Sequence, residues 1–208
     1  MSITLQKLCE MYNITPDDGG TTRAKTPEFR SSYAYVFEAR ETQSGEMKFS
    51  TSMIFPKADK AKLKGVAQAI INAASRKFGT DPKKWPKTLK CPIRDGDEER
   101  EGKEYANSVF MNAGNKSAPG VIDKNGMALT GSDEFYSGAY GRASISFFPF
   151  DVKGNKGVGA GLNNILKMRD GERMDGAVSA EDDFADDIEE VQVDESESES
   201  DDQDDTAF

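Results

Sequence analysis

The chain has 208 residues, enough for one sizeable domain with an appended segment, and its formal net charge is −10. It contains no histidine, which removes the commonest general base and the commonest zinc ligand. Its two cysteines, Cys9 and Cys91, are too few for a disulfide framework or a zinc ribbon. We therefore expect no metal and no cofactor, and an enzyme is the least expected class of protein.

The chain offers no sign of export or of membrane insertion. Its first residues lack the basic and apolar blocks of a signal peptide, and no apolar run approaches the roughly 20 residues of a membrane helix. Two free thiols suit a reducing compartment. We expect a protein of the cytoplasm, which is the host cell cytoplasm if a phage encodes it, with no membrane partner.

Charge is divided unevenly along the chain. Residues 175–208 contain 16 of the 37 acidic residues and no Lys or Arg, so the first 174 residues hold all 27 basic residues against 21 acidic ones. A basic body with an acidic tail is typical of a polyanion-binding domain with an interaction segment, although acidic tails also serve solubility alone. The Ser-, Asp- and Glu-rich composition of residues 174–208 predicts disorder.

The first part of the chain predicts a β-hairpin after a polar entry. Residues 1–27 contain a run of Asp, Gly and Thr, and we expect them to be loosely ordered. Alternation of large and small side chains predicts a strand over residues 31–40 and another over residues 47–55, with a turn between them. We place the folded domain at residues 28–173.

One helix is predicted over residues 58–78. Its apolar residues fall on one stripe, Asp59 is in position to cap its start, and Gly79 lies just past its end. The next stretch, residues 80–104, is predicted to be a long irregular loop.

That loop contains a candidate nucleic-acid contact made of Lys83, Lys84, Trp85 and Lys87. A tryptophan among lysines can stack on a base while the lysines neutralise phosphates. It can equally anchor the loop to the core, and both alternatives stay open. The acidic residues that follow, from Asp95 to Glu99, favour a solvated surface over a metal site, because no second carboxylate motif accompanies them.

The most informative segment is a long strand predicted over residues 138–151. Successive side chains of a strand point to opposite faces, so Tyr140, Arg142 and Phe148 share one face with two serines, while the other face is small and aliphatic. Rings that stack on bases, an arginine and hydroxyls suit a sequence-tolerant nucleic-acid surface. The alternative interpretation is an aromatic-rich core strand.

Three further strands complete the prediction. They cover residues 105–112, 120–123 and 157–169. The basic residues of the last strand and of the turn before it are predicted to line the same groove as Arg142; they are Lys153, Lys156, Lys167 and Arg169. Five or six strands with one inserted helix predict a mainly β protein, a small barrel or sandwich rather than a βαβ fold.

The stretch FYSGAYGRASISF at residues 135–147, followed by KGNKGV, GLNN and RDGE up to residue 172, resembles a family of tailed-phage proteins. That family was long catalogued as a domain of unknown function and later assigned to single-stranded-DNA binding with an OB-type fold. The similarity covers most of residues 25–173. It implies an OB-like barrel that coats single-stranded DNA in phage replication, recombination or repair, without sequence specificity and without chemistry.

The acidic tail resembles that of the T-odd phage single-stranded-DNA-binding proteins. The resemblance implies that Asp204, Asp205 and Phe208 dock replication or recombination proteins, and that the tail competes with DNA for the basic groove. In this chain Thr206 and Ala207 interrupt the acidic ending. Two other functions stay open: an acidic adaptor or DNA mimic for which the barrel is only a scaffold, and a binder of RNA or duplex DNA. The sequence also leaves a homodimer open.

Overall fold

The computed structural model describes residues 3–174. Its α-helices are α1 (Leu5–Tyr12), α2 (Lys64–Phe78) and the short α3 (Gly96–Glu99). Its strands are β1 (Arg23–Lys25), β2 (Phe29–Glu41), β3 (Met47–Pro56), β4 (Ile93–Asp95), β5 (Ser108–Asn115), β6 (Gly120–Ile122), β7 (Tyr140–Val152) and β8 (Asn155–Arg169). Residues 175–208 lie outside the described part, and so do the predictions made for the tail.

Five of the strands close into a barrel. β2 pairs with β3, β3 with β5, β5 with β8, β8 with β7, and β7 returns to β2. All of these pairs are antiparallel except β5–β8, which is parallel and meets at Gly114 and Gly161. A five-stranded, partly open barrel of this kind is the OB-type fold. The predicted mainly β barrel with one inserted helix is confirmed.

The predicted alternation of the long strand β7 is also confirmed. Ala143, Ile145 and Phe147 are buried in the core, whereas Arg142 and Phe148 are exposed on the outer face. The alternative of an aromatic-rich core strand is therefore wrong for Phe148, which lies outside the core.

The inserted helix packs its apolar stripe onto the barrel, where Val66, Ile70 and Ala74 are buried. The α-helix begins at Lys64 rather than at residue 58, because Lys57–Leu63 form a 3₁₀ turn. Within that turn the Asp59 carboxylate pairs with the Lys62 ammonium at 2.9 Å, and no side chain caps the turn.

The expectation of a loosely ordered entry over residues 1–27 was wrong. The Thr4 hydroxyl accepts a hydrogen bond from the Lys7 N–H at 3.2 Å at the start of α1, which buries Leu5 and Leu8. β1 extends the sheet beside β7. Helices and strands this short are marginal in isolation, so packing against the rest of the fold decides whether they form.

The hydrophobic core of the described residues runs from Leu5 to Ile165 and is shared by the barrel, α1 and α2. In the part of the chain that the structure describes, none of the helices has the length and apolarity that crossing a membrane requires.

Candidate nucleic-acid interface

A groove of about 780 Å³ runs over the outer face of β1, β7, β8 and β6. Its basic side chains are Arg23 and Lys25 from β1 and Arg142 from β7. The strand register places Arg23 opposite Ser146 and Lys25 opposite Ser144, so both point to the same side of the sheet as Arg142. None of the residues that line the groove is acidic. We call this feature the basic groove.

The three cations of the basic groove have no carboxylate partner among the described residues. The Arg142 Nε–H donates to the backbone oxygen of Thr26 at 3.0 Å, and the Arg23 Nε–H donates to the Ser144 hydroxyl at 3.4 Å. Neither acceptor carries a charge. The positive charge of the groove is therefore left for an anion to compensate.

The other basic residues predicted for this region do not line the basic groove, so the prediction of a common groove was wrong for them. Lys153 lies exposed in the β7–β8 turn. The others form ion pairs: Lys156 with Asp151 at 3.1 Å, Lys167 with Asp170 at 2.7 Å and Arg169 with Glu28 at 2.9 Å. Each of these cations is drawn to a nearby carboxylate, which reduces its attraction for phosphate.

The two rings predicted on the outer face of β7 differ in accessibility. The Arg169 guanidinium lies 3.3 Å from the centroid of the Tyr140 ring and covers it. The Phe148 side chain is 50% exposed and rests on Gly159, where a Cβ would come within 2.6 Å of the ring. Phe148 is therefore open to a stacking partner, while Tyr140 is already stacked.

Trp85 anchors its loop to the core. Its side chain is only 3% exposed, and its Nε1–H donates to the backbone oxygen of Gly79 at 2.7 Å. The stacking role considered for this ring is therefore wrong, because burying a large ring leaves no face for a base. Lys83, Lys84 and Lys87 remain exposed around it.

The buried position of Trp85 leads to a spectroscopic prediction. Adding saturating oligo(dT) is expected to leave the wavelength and intensity of Trp85 emission nearly unchanged, because the ring cannot contact a base. A fluorescence titration in parallel with an electrophoretic shift measures this. Strong quenching that follows the shifted fraction would show that Trp85 leaves the core on binding.

The acidic run at the end of β4 and in α3 is tied to the 3₁₀ turn that precedes α2. The Lys57 ammonium donates to Asp95 and to Asp97, both at 2.6 Å. This contact and the Asn107 backbone N–H lower the pKa of the Asp97 carboxyl below its ordinary value. Within residues 3–174 no group of His, Cys, Asp or Glu side chains is arranged to hold a metal ion.

A second surface, which the sequence analysis missed, lies on the outer face of β2, β3 and β5. Two rings from β2 stand beside a polar floor from the neighbouring strands and beside one arginine. The surface is lined by Tyr33, Tyr35, Ser50, Thr51, Ser52, Arg100 and Asn112. We call it the tyrosine face. Its strands β3 and β5 are the second and third of the barrel ring.

Tyr33 is held in an unusual conformation. Its φ is 50°, in the left-handed region that bulky residues seldom adopt, and the pairing of β2 with β3 is irregular between Ser32 and Tyr35. The ring is 51% exposed. Bulges re-aim side chains, and strained backbone of about 1–3 kcal/mol is concentrated at functional sites. The irregularity directs a large ring into solvent.

Arg100 lies beside this ring without a charged partner among the described residues. Its guanidinium carbon is 5.9 Å from the Tyr33 ring centroid, 5.4 Å from that of Tyr105 and 5.2 Å from that of Phe110. Its buried Nε has no hydrogen-bond partner in the described part. On the same strand as Tyr33, Arg40 lies 4.9 Å from the Tyr35 ring centroid. Each ring of the tyrosine face therefore has a guanidinium group beside it, Arg100 for Tyr33 and Arg40 for Tyr35.

The fold and these two outer surfaces define an OB-type protein whose barrel carries aromatic rings and cations. Comparison with solved structures finds the same fold. The structure resembles the single-stranded-DNA-binding protein of bacteriophage Enc34, solved in complex with single-stranded DNA, with a TM-score of 0.62 and 23% identity over 74% of this chain and 89% of that one. It also resembles gp2.5, a single-stranded-DNA-binding protein of bacteriophage T7, with a TM-score of 0.53 and 14% identity over 81% of this chain and 96% of that one. Identities this low show the fold alone.

The sequence comparisons identify the family. The family model described as the single-stranded-DNA-binding protein of Enterobacter phage Enc34 matches residues 22–197. Protein p50 of Acyrthosiphon pisum secondary endosymbiont phage 1 is 30% identical over 162 residues, which cover 74% of this chain and 87% of p50. The chain belongs to the Enc34-type family of phage single-stranded-DNA-binding proteins. The family resemblance stated from sequence is confirmed.

Proposed function

We propose that this protein binds single-stranded DNA without sequence preference and that the bases lie on the tyrosine face. The observation that carries the proposal is the Tyr33 ring, half exposed and held by a strained backbone on the outer side of the barrel. OB folds bind oligonucleotides on the face of the second and third barrel strands, which here are β3 and β5. Family membership supports the same function.

The chemistry of the tyrosine face suits DNA binding without sequence preference. Every base has a π-face, so the half-exposed ring of Tyr33 accepts any of them, and stacking contributes about 1–3 kcal/mol per base. Arg100 supplies a positive charge next to Tyr33 that no carboxylate of the described residues neutralises. Ser50 and Asn112 each both donate and accept hydrogen bonds, so they do not select one base edge.

The biological role follows from the family and from the charge of the tail. We propose that the protein coats single-stranded DNA during phage replication, recombination or repair in the host cytoplasm. Its acidic tail recruits partner proteins through Asp204, Asp205 and Phe208. Support comes from the 16 acidic residues of the tail and from its resemblance to the tails of other phage single-strand binders.

Electrophoretic shift with oligo(dT), duplex DNA and RNA in parallel tests the binding proposal. We expect oligo(dT) to bind most tightly, with an affinity that falls as salt rises. Each neutralised phosphate of a single strand contributes about 0.7 to the salt slope. If about four to six phosphates are neutralised, the slope of log K against log[salt] is therefore roughly −3 to −4. Failure to bind oligo(dT) at low ionic strength would exclude the proposal.

The same experiment separates the rival functions. An acidic adaptor or DNA mimic binds none of the three nucleic acids, and a binder of RNA or of duplex DNA prefers its own ligand. Incubation with Mg²⁺ and end-labelled DNA tests for a nuclease, for which we expect intact DNA.

A further inference from the structure

We propose that the basic groove is a second DNA-binding surface, which takes the phosphates of the strand after it has left the tyrosine face. This inference rests on the proposed function, since it needs a DNA strand that already occupies the tyrosine face. The consequence is that long strands contact two sides of the barrel while short strands contact one.

The two surfaces are separate. The basic groove lies over β1, β7, β8 and β6, and the tyrosine face lies over β2, β3 and β5, with no lining residue in common. An OB fold covers about 4–16 nucleotides of single strand. A strand near the lower limit fills one surface, and a strand beyond the upper limit has length left for the other.

The distribution of ion pairs singles out the basic groove on the outer face of the β7–β8 hairpin. Lys156, Lys167 and Arg169 are each neutralised by a carboxylate of the described residues. The cations of the basic groove are held instead by uncharged oxygens or have no ion pair among the described residues. Three uncompensated positive charges that converge on one concave surface attract an anion.

The spacing of these charges suits an extended phosphate backbone. Arg23 and Lys25 are two residues apart on β1, about 7 Å along the strand, and both point into the groove. Arg142 lies on the neighbouring strand β7, two residues beyond Ser144, the partner of Lys25, and so continues the row on the same face. A row of three cations neutralises consecutive charges of a linear polymer better than it neutralises one compact ion.

The ends of the basic groove add contacts that a nucleic acid uses. Ser146, which lies opposite Arg23, is followed on the same outer face by the exposed Phe148. Its ring offers a stacking surface for a base next to the charged residues. Leu166, which is half-buried, adds an apolar part to the groove that suits the sugar edge of a strand.

The test compares two lengths of oligo(dT) on the full-length chain with the double variant Arg23→Ala/Lys25→Ala. For oligo(dT) of about 24 nucleotides we expect about tenfold weaker binding, and a salt slope reduced by about 1.4, from two lost phosphate contacts at about 0.7 each. For oligo(dT) of about 8 nucleotides, within the span of one OB surface, we expect no change. Fluorescence anisotropy over a range of salt concentrations measures both.

A matched control removes the same charge elsewhere. The double variant Lys60→Ala/Lys64→Ala takes two exposed lysines from the region of α2 that line neither surface, and is expected to bind both lengths like the unaltered chain. Thermal unfolding of each variant checks that the fold is kept. Equal weakening by the two double variants would reduce the effect to general charge and would overturn the inference.

Three other outcomes would overturn it as well. Equal weakening for both lengths would make the groove part of a single primary site. No weakening at either length would mean that DNA does not contact the groove. A loss that disappears when residues 175–208 are removed would identify the acidic tail as the occupant. Failure of the unaltered chain to bind even the short strand is a separate result, because it refutes the proposed function itself.

Discussion

The variant Tyr33→Ala is expected to bind a short oligo(dT) about 10- to 100-fold more weakly than the unaltered protein. The ring is half exposed on the tyrosine face, and removing one stacking ring costs about 1–3 kcal/mol per base. Fluorescence anisotropy with a labelled strand of about 8 nucleotides, within the footprint of one OB surface, measures the change. The salt slope is expected to stay constant, because no charge is removed.

Tyr33→Phe is the matched control for this experiment. It keeps the ring. Alanine and phenylalanine both have a Cβ, so the strain of the positive φ at this position is the same in both variants. We expect the phenylalanine variant to bind within about twofold of the unaltered protein, since stacking needs the ring and not the hydroxyl. An alanine variant that binds normally and unfolds at an unchanged temperature would remove Tyr33 from the site.

Removal of residues 175–208 is expected to tighten binding to oligo(dT) by about tenfold or more at low ionic strength. The deletion removes 16 negative charges and leaves a body with 27 basic and 21 acidic residues. A tethered polyanion competes with DNA for the same cations, and the field of the body steers DNA more strongly without it. The described core lies within residues 3–174, so the shortened chain keeps it.

Salt and a one-residue deletion provide the controls for the tail. At high ionic strength the two proteins are expected to bind alike, because salt screens the competition. A chain that lacks only Phe208 keeps every tail charge and is expected to bind DNA like the full chain. If the tailless and full-length proteins bind with equal affinity at low salt, the tail does not compete with DNA.

The long elements of the fold were predictable because their side-chain periods are sustained. β7 alternates from Tyr140 to Phe148, and its buried and exposed positions there match the sequence pattern. The apolar stripe of α2 is equally clear in the sequence. The first residue of α2 was not predictable, because the preceding 3₁₀ turn has the same lysine-rich pattern as the start of the helix. Short elements such as α1 and β1 carry too few periods, and their formation depends on contacts with distant residues.

The candidate site was only half predictable. The sequence placed Arg142 on the outer face of a strand, but Arg23 and Lys25 lie in a segment without a readable pattern and reach the groove only through the pairing of β1 with β7. In the sequence Tyr33 is one more ring in a regular alternation, because a β-bulge does not change the spacing of large and small residues along the chain. Whether Trp85 points inward or outward depends on tertiary packing, since an extended loop allows both.

The first helix bears on how this protein is shortened for biochemical work. The family match begins at residue 22, after α1 has ended at Tyr12. The Gln6 side-chain amide donates to the backbone oxygen of Trp85 at 3.1 Å, and Leu5 and Leu8 are buried against the barrel. A chain trimmed to the family boundary would expose an apolar patch beside Trp85 and would tend to aggregate. Expression trials should therefore retain the N-terminal residues.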